Sequence, residues 1–158
     1  MESEDLKKIR KEYEKIRRKH LLPNFDKIDQ EFEIRRTFSD GFIVSETRRA
    51  AINKLQDYIQ LLDPVLNPHP GSLHSMIEAD GFDEEDKKKL FDLYKKLGFL
   101  IHQGILAGLK NEKDQVTFIK DCWKKWPTLK KDITEFVTKA AIQWSTNDFK
   151  IDEAEYMG

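Results

Sequence analysis

His69, His74, Glu78 and Asp80 fall within the stretch NPHPGSLHSMIEADGF at 67–82. Imidazole and carboxylate side chains together form the ligand set of zinc and related divalent ions. A zinc-bound water is acidic enough to act as a hydroxide nucleophile. His74 and Glu78 are four residues apart and would share a face of a helix. On this reading His69, His74 and Glu78 bind a metal, and the chain is a metal-dependent hydrolase. A plainer reading accounts for the same residues. Pro68, Pro70 and Gly71 turn the chain, and Ser72 or Ser75 caps a short helix holding Leu73, Met76 and Ile77. Ser75 with Glu78 fits a capping box, and Gly81 closes the segment in the left-handed conformation. The stretch has no HExxH, no cysteine pair and no Glu-x-x-His. The expectation is therefore a connector between helices, with no cofactor.

Phosphate binding is the second chemistry the residue types allow. KKIRKEYEKIRRKH at 7–20 carries Lys7, Arg10, Lys11, Arg17 and Arg18, and CWKKWPTLKK at 122–131 sets Trp123 and Trp126 among Lys124, Lys125, Lys130 and Lys131. Aromatics interleaved with cations suit the stacking of single-stranded bases. However, Val116, Ile119, Trp123 and Trp126 recur at the spacing of a buried helical seam, which assigns the tryptophans to a core. The 28 basic and 29 acidic side chains nearly cancel, for a formal net charge of −1. No global field therefore draws in nucleic acid or anionic lipid.

Three lesser candidates remain. His102 stands alone among apolar neighbours in LGFLIHQGILAGL at 97–109, as an acid–base group would, but without a serine or cysteine partner. Asp26, Asp29 and Glu33 follow helical spacing, as Mg²⁺-binding carboxylates do, yet Arg35 and Arg36 lie within ion-pairing reach. Cys122 reads as a small packing residue. Catalytic residues are not nominated.

The elements that must position these side chains are helices. Leu6, Ile9, Tyr13 and Ile16 draw a narrow apolar seam from Ser3 to His20, ended by Pro23. Asn24 caps a second helix through Phe25, Ile28 and Phe32. A third begins near Ser45 with Ala51, Ile52, Leu55, Tyr58, Ile59 and Leu62 inward, and Pro64 and Pro68 end or bend it. Asp83 opens a helix whose first turn is acidic and whose second is lysine-rich. Its inward stripe is Leu90, Tyr94, Leu97, Ile101, Ile105 and Gly108. Beyond Leu97 it is apolar nearly all round, which predicts a central helix touched on several sides. Gly98, Gly104 and Gly108 predict close approach of neighbours, or a small-ligand pocket beneath the helix. Pro127 separates two final helices, and Leu129, Ile133, Phe136, Val137, Ala140 and Trp144 form the face of the last. The expected fold is all-α, a bundle of five to six helices, mostly antiparallel neighbours, with no sheet. It comprises a single domain over 1–145 and an acidic, frayed tail over 146–158.

One cysteine, a charged beginning without an apolar signal core, and no apolar run of bilayer length predict a cytoplasmic protein. The leading functional expectation is a non-enzymatic module that binds another protein or a second copy of itself. The Leu6–Ile9–Tyr13–Ile16 seam is its candidate contact face. RNA or single-stranded DNA binding through the basic clusters is the first alternative, and the metal-dependent hydrolase is the second.

Overall fold

The computed structural model describes residues 2–39 and 41–146. Among them the chain forms seven helices and no strand: α1 (Glu4–His20), α2 (Phe25–Phe32), α3 (Ile34–Thr37), α4 (Ile43–Leu66), α5 (Leu73–Asp80), α6 (Glu84–Gly108) and α7 (Glu112–Thr146). The expected all-α class holds, with a count slightly above the five to six read from periodicity. The expected tail lies, from residue 147 on, outside the described residues. No described helix is long and apolar enough to cross a membrane.

The chain folds as two compact units: Met1–Gln56 with Phe99–Pro127, and Asp57–Gly98 with Thr128–Gly158. All three boundaries, after Gln56, Gly98 and Pro127, fall inside helices, so α4, α6 and α7 each give one stretch to either unit. The first unit holds α1, α2 and α3. Ser3 caps α1 by accepting from the Leu6 amide at 3.2 Å, and Asn24 caps α2 by accepting from Lys27 at 2.9 Å. Between α2 and α3, Glu33 takes a left-handed backbone at φ 54°. That conformation costs a non-glycine residue about 1–2 kcal/mol. It is held by the Lys54 ammonium, 2.7 Å from the Glu33 carboxylate, and by the buried Asp29, which accepts from the Arg35 amide at 2.9 Å and pairs with its guanidinium. The core of this unit gathers Tyr13, Phe25, Phe32, Leu55, Leu100 and Ile119.

In the second unit, α5 is capped by Ser72, which accepts from the Ser75 amide at 3.3 Å. The expected Ser75–Glu78 box is therefore not the one used. Gly81 ends α5 at φ −82° in right-handed geometry, not the left-handed one expected. Asp83 and Asp86 cap α6 reciprocally, each accepting from the other's amide at 2.8 and 3.2 Å. Leu62, Val65, Leu90, Leu97, Leu129 and Phe136 make the core.

Two prolines fail to stop helices. Pro64 sits inside α4, which continues to Leu66, and Pro127 sits inside the 35-residue α7. An interior proline removes one backbone hydrogen bond and costs roughly 3 kcal/mol. The cost is met by burial on either side, since Leu62 and Val65 flank Pro64 and Trp126 and Leu129 flank Pro127, all within cores.

The outward side of α6 departs most from expectation. Leu93, Leu100 and Ala107 join Leu90, Leu97 and Ile101 in burial, but Ile105 does not. Phe99 and Leu106 also face out, as does Leu109 just past the helix end, so the helix is not surrounded. Val137 and Trp144, expected inside, are likewise exposed on α7.

Candidate functional site

The 67–82 stretch is the natural place to begin. His69 is exposed on the turn before α5. His74 and Glu78 do share a face, with Nε2 3.4 Å from the carboxylate. The same Glu78 oxygen has a second partner in an indole: Trp144 Nε1 donates to it at 3.1 Å, and the His74 and Trp144 rings lie 5.3 Å apart. The cluster fastens α5 to the end of α7. Among the described residues, no group of three or more His, Cys, Asp or Glu side chains is placed to hold a metal ion.

The basic residues are spread over many small ion pairs. Lys7 pairs with Glu4 and Arg17 with Glu14. Arg10 bridges Glu2 at 2.9 Å and Asp26 at 2.8 Å, and its guanidinium lies over the Phe25 ring. Lys125 pairs with Asp121 at 3.0 Å. Lys11, Arg18, Lys124, Lys130 and Lys131 are solvent-facing. Trp126 is buried, donating its indole N–H to Glu31 at 3.0 Å and packing edge-on against Phe32, and Trp123 meets the same ring. These indoles are engaged with α2 and offer no open stacking platform.

The apolar seam of α1 is likewise occupied. Ile9 and Tyr13 are buried, and the Tyr13 hydroxyl donates to the Pro23 carbonyl at 2.7 Å. Its ring packs 5.5 Å from Phe25, and burial pushes the phenol's pKa well above its usual value. Leu6 and Ile16 are half-buried. Most of the seam's width is thus used within its own unit.

The glycine-marked side of α6 is filled. A side chain at Gly104 would meet Phe118 and Ile52 within 3 Å, and one at Gly108 would meet the Arg48 guanidinium. Arg48 donates to the Gly104 carbonyl at 3.0 Å and to Gln115 at 3.2 Å. Desolvation there lowers its pKa. Neighbours approach closely, as expected, and the space beneath these two glycines holds protein, not a guest. The carboxylates Asp26, Asp29 and Glu33 go to Arg10, Arg35 and Lys54 respectively. Cys122 is buried, and the loss of solvent pushes its thiol up to about 12, which keeps it protonated and unreactive.

The opposite side of α6 carries the feature that the sequence did not reveal. Within the first unit, Phe99, Ile105, Leu106 and Leu109 are 61%, 44%, 52% and 80% exposed. His102, also exposed, lies among them on the same helix face. A groove of about 270 Å³ runs beside Leu106, with Ala107 and Phe118 in its floor and Lys110, Asp114 and Asp121 around it. Gln103 contributes a buried Oε1 that makes no hydrogen bond within the described residues. Periodicity could not find this face, because an apolar residue turned outward looks the same in sequence as one turned inward.

Fold and site together define an all-α protein built of two helical units with an apolar face on one long helix. Neither family models, curated proteins nor solved structures gave a match to this chain.

Proposed function

We propose that this chain is a protein-binding helical module, and that its contact face is the outward stripe of α6. The observation that carries the reading is the exposure of Phe99, Ile105 and Leu106 on one face of α6, with Leu109 exposed in the turn just past its end. Scattered surface leucines need no explanation, whereas the largest apolar patch of a monomer, some hundreds of Å² in extent, is often functional. A helix face of this type is complementary to the apolar side of another helix, which would insert its own side chains at i, i+3, i+4 and i+7. The groove beside Leu106 gives such a partner a slot for one side chain. The basic clusters support a nucleic-acid reading less well, since Lys7, Arg10, Arg17 and Lys125 already have carboxylate partners.

The test is paired affinity capture from native lysate, with the wild-type chain and a Leu106→Asp/Leu109→Asp variant as baits. Proteins retained by the first and lost by the second are the expected outcome. Identical protein recovery on both baits, or recovery of nucleic acid that elutes steeply with salt, would contradict the reading.

A further inference from the structure

Gly98 and Pro127 occupy corresponding places in two different helices. On α6 the second unit ends at Gly98, and on α7 the first unit ends at Pro127. Each residue therefore stands where its helix passes from one unit to the other. Glycine and proline are also the residues least suited to a helix interior, glycine through its backbone freedom and proline through its missing N–H. Pro127 has no hydrogen to give the Trp123 carbonyl one turn back, and its ring crowds that oxygen.

Packing calls for neither residue. Gly104 and Gly108 are explained by the side chains that press on them, but a Cβ at Gly98 would meet only Ile59 beyond its own helix, at an ordinary 3.7 Å. Pro127 is exposed, and Trp126 and Leu129 take the buried positions beside it. What remains is their effect on the backbone. Sharp helix bends concentrate at proline, and glycine has the widest backbone range of any residue. The third crossing differs. There α4 passes between the units at Gln56 and Asp57, and it holds no glycine or proline from Ile43 to Asp63.

We infer that Gly98 and Pro127 form a hinge, at which α6 and α7 bend while α4 runs on unbroken, so that the two units change their mutual orientation. Hinges are a few positions that absorb a change in φ and ψ, often small residues and often remote from any site. Both residues cost helix stability and fill no packing need, which is the exchange expected where motion is used. The outward stripe from Phe99 to Leu106 lies entirely on the first-unit side of Gly98. It moves as one piece with that unit, and the hinge does not depend on what binds there.

Spin-label distance distributions on the full chain, read by double electron–electron resonance, test the hinge. One label pair, Lys11→Cys with Lys88→Cys, places an exposed label in each unit. A second pair, Lys11→Cys with Lys120→Cys, lies within the first unit and gives the width due to the labels alone. The native Cys122 is buried and does not take the label. In the otherwise wild-type chain, the cross-unit distribution is expected to be broader than the within-unit one. Gly98→Ala and Pro127→Ala together should shrink it to the within-unit width, and Gly98→Ala alone should shrink it part of the way. The within-unit pair and the helical circular-dichroism spectrum should stay unchanged in every background. A cross-unit distribution already as narrow as the within-unit one in the wild-type background would overturn the hinge. One that stays broad after Gly98→Ala, alone and combined with Pro127→Ala, would overturn its assignment to these residues.

Discussion

Gly98 and Gly104 sit six residues apart on α6 and should respond to the same substitution with opposite signs. A Cβ at Gly104 would press on Phe118 and Ile52 at 2.6–2.9 Å, whereas one at Gly98 would touch Ile59 at an ordinary 3.7 Å. Gly98→Ala is therefore expected to raise stability by up to about 1 kcal/mol through helix propensity. Gly104→Ala should lower it by about 1–3 kcal/mol through overpacking. Urea unfolding of both variants checks the pair, and equal effects would show that the close approach at Gly104 is not real. A second residue-scale expectation concerns acid. The Asp86 carboxyl is held below its ordinary value, first by the Lys139 hydrogen bond and further by its capping contacts with Asp83. Its folded pKa is thus lower than its unfolded one. The stability it lends is present above the ordinary value and is lost as pH falls through the folded value. Thermal melts between about pH 5 and pH 2 should fall less steeply for Asp86→Asn than for wild type. Parallel slopes would contradict the assignment. Cys122, with its thiol pushed up to about 12 by burial, should react with an aromatic disulfide reagent only after unfolding.

At the scale of elements, caps were legible and prolines were not. Asn24 and Asp83 announce their helices in sequence and are found capping them, because a cap is decided by residues within one turn. Whether Pro127 breaks a helix is decided by distant packing. Trp126 and Leu129 are both buried in continuous helical geometry, and no local pattern contains that fact. Pro127→Ala should accordingly stabilise the chain, by up to about 3 kcal/mol, because α7 already passes through this position as a helix. Loss of stability on that change would indicate that the proline sets a bend the fold requires. The break at Glu33 was hidden for a related reason. Nothing in FEIRR signals a left-handed residue, and the partners that hold it, Lys54 and the Asp29–Arg35 pair, are assembled only by the fold.

For the whole molecule, the helical class was readable because the apolar spacing recurs along nearly the full chain. The division into two units was not, since no linker marks boundaries that fall within α4, α6 and α7. The candidate site shows the same limit. The α1 seam, which the sequence offers as a contact face, is spent on Pro23 and Phe25. On α6, Leu90, Leu97 and Ile101 are buried as the stripe predicts, while Ile105 is left outside with Phe99 and Leu106. Composition and period report that a residue is apolar and helical; only the arrangement of neighbours decides which face they cover. The account therefore turns on whether the outward face of α6 meets protein in its native setting. Site-specific photo-cross-linking in living cells tests this most directly, with the photoreactive residue at Phe99 in one chain and at the exposed Lys131 in another. The account predicts discrete cross-linked protein species from position 99 and none from position 131. Equal labelling from both positions, or none from position 99, would contradict it.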